Sequence, residues 1–222
     1  MDFWPMAWGL AKGLGTTLAI FTLTLLFSLP LGLLVAVGRM SRVGVLRQSM
    51  RLYISLMRGT PLMLQLFFFY FGPYYLFGWR LGALGFWGLD YRFIAVILGF
   101  SLNYAAYFAE IYRAGIESIP AGQWEAGKIL GFSRAQTFLR IVLPQVVKRI
   151  LPPVTNEVIT LVKDTSLAFA LSVMEMFTIA KMEAAAHTTM IPFMVAGLFY
   201  YLLNFAVAAG MEWCEKRLEY YS

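Results

Sequence analysis

The stretch 148-KRILPPVTNEVITLVKD-164 decides the fold of this chain. As a membrane span it is weak, because Pro152, Pro153, Asn156 and Glu157 lie inside it. Hydropathy alone lets it cross a bilayer or lie along the surface. The choice between the two depends on what flanks it.

The surrounding chain belongs in a bilayer. Of its 222 residues 60% are hydrophobic and 14% charged, where a soluble domain carries about 25% charged residues. Mean hydropathy is +0.69. The single cysteine, Cys214, excludes a disulfide framework and a thiolate metal site, and reads as an inert helix-end residue. The single histidine, His187, argues against a histidine-ligated metal centre. Asp2, without a basic leader or a small-residue cleavage site, makes the first apolar segment a retained helix and not a signal peptide.

A spanning helix needs roughly 20 mostly apolar residues. Hydropathy predicts such helices over about 14–38, 52–76, 92–114 and 189–212. Charge then decides the doubtful stretch. The segment 38–58 carries Arg39, Arg42, Arg47, Arg51 and Arg58 and no acid, and 112–149 carries six Lys/Arg. Both are expected on the cytoplasmic side by the positive-inside rule. Segment 73–92 has only Arg80 and Arg92 against Asp90, and 163–190 has two Lys against three acids, so both are expected outside. Something between 149 and 163 must therefore cross, and the span is predicted over 144–163. The expectation is an all-α membrane protein in one transmembrane domain over 1–222: five helices, N-terminus outside, C-terminus cytoplasmic. The net charge of +6 follows from this topology and needs no nucleic-acid partner. The run 67-FFFYFGPYYLFGW-79 reads as an outer aromatic belt around a Gly-Pro turn.

The cytoplasmic segment 125-EAGKILGFSRAQTFLRIVLPQ-145 stands out for its charge and glycines. A short helix is predicted over about 121–132. Pro120 and Gly122 break the helix before it, Glu125 suits its start, and Gly131 suits its stop. Trp124, Lys128 and Phe132 fall at i, i+4 and i+8 on one side. A helix of this kind can lie on the membrane surface or serve as a knob for a partner, and physics alone leaves both open.

Ionisable groups inside a span suggest function. Glu157 and Asp164 are seven residues apart, which is two helical turns, so they point the same way. No cation lies within one turn of Glu157, so it is expected to face a cavity or an oligomer axis. Asn103 and Glu110 repeat the seven-residue spacing, with Tyr107 between them. Glu110 reads as a structural ion pair with Arg113 at i+3. Asn103 and Gln65 are buried-amide candidates, for a site or for bonding between helices. Gly59, Thr60 and Pro61 suggest a broken or kinked helix start before Gln65. Segment 163–190, with Ser166, Glu175, Lys181 and Glu183, suits an external gate. There His187 reads as a boundary residue with no partner to tune it.

Glu125-Ala126, Gly131 and Ile141-x-Leu143-Pro144 together resemble the EAA loop of ABC importer permeases, with Gly127 as the one departure from Glu-Ala-Ala. The stretches 58-RGTPLMLQLFF-68, 107-YFAEIYRAGIESIPAGQWEA-126 and 163-KDTSL-167 are similar to the polar amino-acid branch of that family. The resemblance implies a type I importer permease in the bacterial inner membrane. It would work with a second permease subunit, identical or paralogous, two ATP-binding cassette subunits and an external amino-acid-binding protein. It also implies a coupling helix through Glu125, Ala126, Gly127, Lys128, Gly131 and Phe132. The implied substrate pocket uses Glu157 and Asp164, with Asn103, Tyr107 and Gln65 as further candidates, and two carboxylates suit a basic amino acid. The chain has no Gly-x-x-x-x-Gly-Lys-[Ser/Thr] phosphate loop, so it is expected to hold no cofactor and to be no enzyme, with ATP and Mg on the partner. The competing expectation is an ion- or proton-coupled transporter or channel using the intramembrane acids. Only five expected spans and no visible inverted repeat weigh against it.

Overall fold

The computed structural model describes residues 3–79 and 90–218. Arg80 and the last four residues of the tail, to which the charge argument also assigned a side, lie outside the described residues. All regular structure among the described residues is helical. In chain order it comprises α1 (Phe3–Arg39), α2 (Gly44–Gly59), α3 (Leu62–Phe77), α4 (Tyr91–Glu117), α5 (Ala121–Ile129), α6 (Arg134–Thr137), α7 (Leu143–Asp164), α8 (Met176–His187) and α9 (Ile191–Leu218). A π-turn over Phe138–Val142 joins α6 to α7, and a 3₁₀ segment over Thr165–Leu171 follows α7.

Among the described residues, three helices are long and apolar enough to cross a membrane: Phe3–Arg39, Tyr91–Glu117 and Ile191–Arg217. A fourth counts if α2 and α3, bent by 111° at their junction, form one span. α7 does not pass on hydropathy, because Lys148, Arg149, Asn156, Glu157 and its prolines dilute its apolar residues.

Several boundaries differ from the sequence-based expectations. α1 begins at Phe3, not near residue 14, and its 37 residues extend ~55 Å, well beyond a bilayer core. The segment predicted over 52–76 carries the break expected at Gly59, Thr60 and Pro61, and it separates two helices, α2 and α3. Pro61 has no N–H, and it keeps Thr60 extended (φ −122°, ψ 148°), the bias expected before proline. The aromatic run has no turn at Gly72-Pro73. α3 passes through Pro73 and stops at Gly78, which is left-handed (φ 69°) and donates its N–H to Tyr74 O. Pro152 and Pro153 lie inside α7. Pro144 does not break the chain either. It cannot donate to Arg140, and the wider π-turn just ahead of it accommodates the missing bond, with Leu143 donating instead to Phe138 O.

α4 is the centre of the bundle and packs on α1, α2, α3 and α7. In its most apolar window 61% of residues are buried, against 11% in α9, which places α4 inside the bundle and α9 at its rim. Lipid offers no hydrophobic drive between helices, so close backbone approach matters. Gly32 of α1 provides it: a Cβ there would lie 2.8 Å from Phe108 Cβ and 3.0 Å from Ala105 O. Phe100, Tyr104 and Phe108 of α4, with Leu66 and Leu161, form the main buried cluster. At the start of α4, Asp90 accepts from the Arg92 backbone N–H at 2.9 Å and pairs with its guanidinium at 2.6 Å. The Arg92 hydrogen bonds hold the Asp90 carboxyl below its ordinary range.

Candidate functional site

The break between α2 and α3 opens space beside α4 and α7. On α7, Glu157, Thr160 and Asp164 follow i, i+3, i+7 spacing and share a face. On α4, Asn103, Tyr104 and Tyr107 fall at i, i+1 and i+4 and present a neighbouring set of side chains to them. These six side chains, with Thr60 and Leu62 from the break, line a cavity of about 270 Å³. Four of the five residues expected in a pocket therefore meet there: Glu157, Asp164, Asn103 and Tyr107.

Gln65 does not line it. Its Nε2 donates to Met57 O (2.9 Å), Thr60 O (3.1 Å) and Thr60 Oγ1 (2.8 Å). Asn103 Nδ2 donates to Met57 O at 2.9 Å and to Gln65 Oε1 at 3.0 Å. The last carbonyls of a helix have no intrahelical partner. The two amides satisfy those that the break exposes, so Gln65 is a splint for the kink, and Asn103 both splints it and lines the cavity. Asp164 Oδ2 accepts from Tyr104 Oη at 2.7 Å. Tyr104, which sequence reading missed, was signalled only by lying beside Asn103.

A second cavity of about 530 Å³ lies nearer the C-terminal end of α4. Tyr107 and Glu157 belong to both cavities, and the second adds Arg58, Glu110 and Arg149. Glu110 forms the expected pair with Arg113 (Nη2–Oε2 2.7 Å), which also reaches Glu117 at 2.5 Å. Arg149 donates to Ser118 O and to Ser118 Oγ. The Arg58 guanidinium lies 5.1 Å from the Tyr107 ring centroid, within cation–π range. The sequence shows no cation within a turn of Glu157. The fold brings Arg58 to the same cavity across 99 positions of chain.

At the end of the bundle that holds α8, Glu175 is fully buried and caps that helix. It accepts from Phe177 N (2.7 Å), Thr178 N (2.6 Å) and Tyr200 Oη (2.9 Å), which ties α8 to α9. His187, expected to be without a partner, lies 3.6 Å from Glu183 Oε2 one turn back on the same helix.

The short helix predicted over 121–132 is α5 and ends at Ile129. Its termination is a Schellman motif: Phe132 N donates to Gly127 O (2.9 Å), Gly131 N donates to Lys128 O (3.1 Å), and Gly131 is left-handed at φ 74°. The expected face of Trp124, Lys128 and Phe132 divides, because the helix stops before Phe132. Trp124 turns inward and stacks on Phe138 with centroids 6.3 Å apart, while Lys128 faces out. Gly127 is buried, and a Cβ there would lie 2.5 Å from the Thr137 side chain. The outward surface is Glu125, Ala126 and Lys128 with two bare apolar residues, Ile129 at 86% and Leu130 at 67% exposed.

This architecture is that of a membrane-embedded transport subunit. The chain belongs to the family described as binding-protein-dependent transport system inner membrane component, which matches residues 28–220. It is 36% identical to the L-cystine transport system permease protein TcyB of Bacillus subtilis, over 99% of this chain and 89% of that protein. It is 40% identical to the octopine transport system permease protein OccM of Rhizobium radiobacter, over 90% of this chain and 82% of that protein. Among solved structures, a crystal structure of an amino acid ABC transporter with histidines superposes with TM-score 0.85 at 27% identity, over 98% of this chain and 99% of that one. An inward-facing MetNI methionine ABC transporter shares the fold, with TM-score 0.75 at 19% identity.

Proposed function

We propose that this chain is the membrane subunit of an ATP-driven importer that moves polar, preferentially basic, L-amino acids into the bacterial cytoplasm by alternating access. The observation that carries the reading is the convergence of Glu157 and Asp164 with Asn103 and Tyr107 on one cavity at the α2–α3 break. Charge inside a membrane is costly, and two carboxylates held on a cavity wall suit an ammonium and a cationic side chain. The α7 helix is then a fifth span whose polar face looks inward, which accounts for its low hydropathy. The N-terminus lies outside and the C-terminus inside. The exposed Ile129 and Leu130, flanked by Glu125, Ala126 and Lys128, dock on a separate ATP-binding subunit, which carries the ATP and Mg. Gly127, Gly131 and Phe132 hold that helix in place. The complete importer contains two such ATPases, a second permease subunit and an external binding protein.

The test is uptake into vesicles containing the permease with its ATP-binding subunits and binding protein, competed with a panel of amino acids. Uptake should need ATP and persist when the proton gradient is collapsed. Glu157→Gln should lower uptake of L-arginine, L-lysine or L-histidine by about tenfold, the scale of one lost charge-assisted contact, with less effect on neutral amino acids. Uptake that follows the proton gradient and ignores ATP would refute the reading.

A further inference from the structure

The arginines at the start of α2 take no part in either cavity. Between residues 39 and 51 the chain carries Arg39, Arg42, Arg47 and Arg51 and no acid. Arg42, Arg47 and Arg51 are exposed. Among the described residues, their side chains form no ion pair, hydrogen bond or ring contact.

α2 sorts its side chains into three stripes. Met50, Tyr53, Ile54 and Met57, at i, i+3, i+4 and i+7, pack on α1 and α4. Arg47 and Arg51 stand one turn apart on a second stripe. Val45, Leu52 and Leu56 form a third, roughly 140° around the helix from the arginines. They are bare, Val45 at 79% and Leu52 at 60% exposed. Gln48 and Ser55, also exposed, lie between the two outer stripes. The helix slopes into the bundle. Near its start, a Cβ on Gly38 of α1 would lie 2.9 Å from Met50 Cγ, and near its end Met57 O accepts from Asn103, midway along α4. Arg47 and Arg51 therefore belong to the half of α2 beside the end of α1, away from the cavities that Arg58 and Thr60 border.

Charge and bare aliphatic side chains on one exposed helix define what can cover it. Such a helix seats at a membrane–water boundary. A phospholipid offers an anionic group and an acyl chain in one molecule. Inorganic phosphate would leave Val45, Leu52 and Leu56 uncovered. A second copy docked two-fold on this face would set arginine against arginine, which is repulsive.

We infer that the first half of α2 is a docking site for an anionic phospholipid, with Arg47 and Arg51 on the headgroup phosphate and Val45, Leu52 and Leu56 along an acyl chain. Arg42, in the turn before α2, adds charge on the headgroup side. A guanidinium can grip a phosphate by two parallel bonds while its stem lies along apolar surface. The site is independent of the cargo. α2 leads directly into the break at Thr60, so the lipid sits on the helix whose far end borders the cavities.

The experiment is native mass spectrometry of the permease–ATPase complex, delipidated in detergent and given an equimolar mixture of phosphatidylglycerol and phosphatidylcholine with the same acyl chains. The wild type should retain phosphatidylglycerol about tenfold or more over phosphatidylcholine, the scale of two arginines at a lipid surface. Arg47→Gln with Arg51→Gln should remove most of that preference. Lys216→Gln with Arg217→Gln, which removes equal charge at the end of α9, should keep it. Val45→Gln with Leu52→Gln should weaken retention of both lipids severalfold. Excess inorganic phosphate should displace neither. The inference falls if the wild type shows no preference, if the α9 pair loses as much as the α2 pair, or if inorganic phosphate displaces the lipid. It also falls if phosphatidylglycerol binds the permease alone but not the complex, because the ATP-binding subunit then covers this face. Arg51→Gln alone, expected to lower the preference severalfold, decides if the double variant fails to assemble.

Discussion

Gly131 and Gly127 lie four residues apart and are required for different reasons. Gly131 has φ 74° with open space around it, so its constraint is conformational. An L side chain in the left-handed region costs about 1–2 kcal/mol. Gly131→Leu should therefore leave the amount of protein in the membrane unchanged but tilt or fray α5 and reduce ATP-dependent uptake severalfold. Immunoblots of membranes beside uptake rates would check this, and normal uptake would remove the role assigned to α5. Gly127 has an ordinary helical backbone and no room. The Thr137 side chain occupies the space of its missing Cβ, at 2.5 Å. Gly127→Ala should destabilise the α5–α6 contact by about 1–3 kcal/mol, the usual scale of overpacking. Gly127→Ala combined with Thr137→Ala should recover much of it, read as melting temperature of the solubilised complex. The departure from Glu-Ala-Ala is visible in the sequence, but the threonine that makes glycine necessary is ten residues on and becomes its neighbour only when α6 folds back.

Among the elements, the α2–α3 pair shows most clearly how much of the site was legible. Gly59, Thr60 and Pro61 announce a break, because proline cannot donate and biases the residue before it towards extended backbone. The size of the bend, 111°, is not written there. It is held by Gln65 and Asn103 on the carbonyls of Met57 and Thr60. Gln65→Leu removes the donor and leaves the partly buried carbonyls at the break short of partners, which should cost about 1 kcal/mol. A lowered melting temperature together with weaker substrate binding is expected, because Arg58 and Thr60 move with the bend. Unchanged stability would mean that the kink holds itself. α7 is the contrasting case. Its seven-residue repeat of acids was readable because helical geometry is local, and Glu157 and Asp164 do line one cavity. Arg58 was not readable as their neighbour, since its position depends on the bend and on the packing of α2 against α4.

For the molecule as a whole, the open quantity is topology. Charge distribution argues for five crossings, with α5 inside and α8 outside, while hydropathy counts three or four. In a Cys214→Ser background, Ile129→Cys should react with a membrane-impermeant maleimide only after the inner face is opened. Met182→Cys should react in intact cells. Both side chains are exposed on the chain itself, so with the permease expressed without its ATP-binding subunits access depends on sidedness and not on burial. Labelling of both from the same side would mean that α7 does not cross. The bundle also explains how one chain tolerates such different helices. α4 lies at the centre of the bundle and takes small and aromatic residues, while α9 leaves its Leu198, Leu202 and Phe205 exposed.

The sequence by itself determined the class of this protein, because hydrophobicity, charge asymmetry, helical period and glycine or proline punctuation act locally or add along the chain. It was enough to predict an all-helical membrane protein, a short helix stopped at Gly131, and an acidic face on α7. The tertiary structure decided what those parts meet. Arg58 shares a cavity with Glu157, Tyr104 bonds Asp164, Thr137 fills the space beside Gly127, and Gln65 supports a kink instead of a ligand. Such contacts depend on angles between helices, and those angles are set by side-chain packing and unsatisfied carbonyls spread over the whole bundle, which no local pattern records.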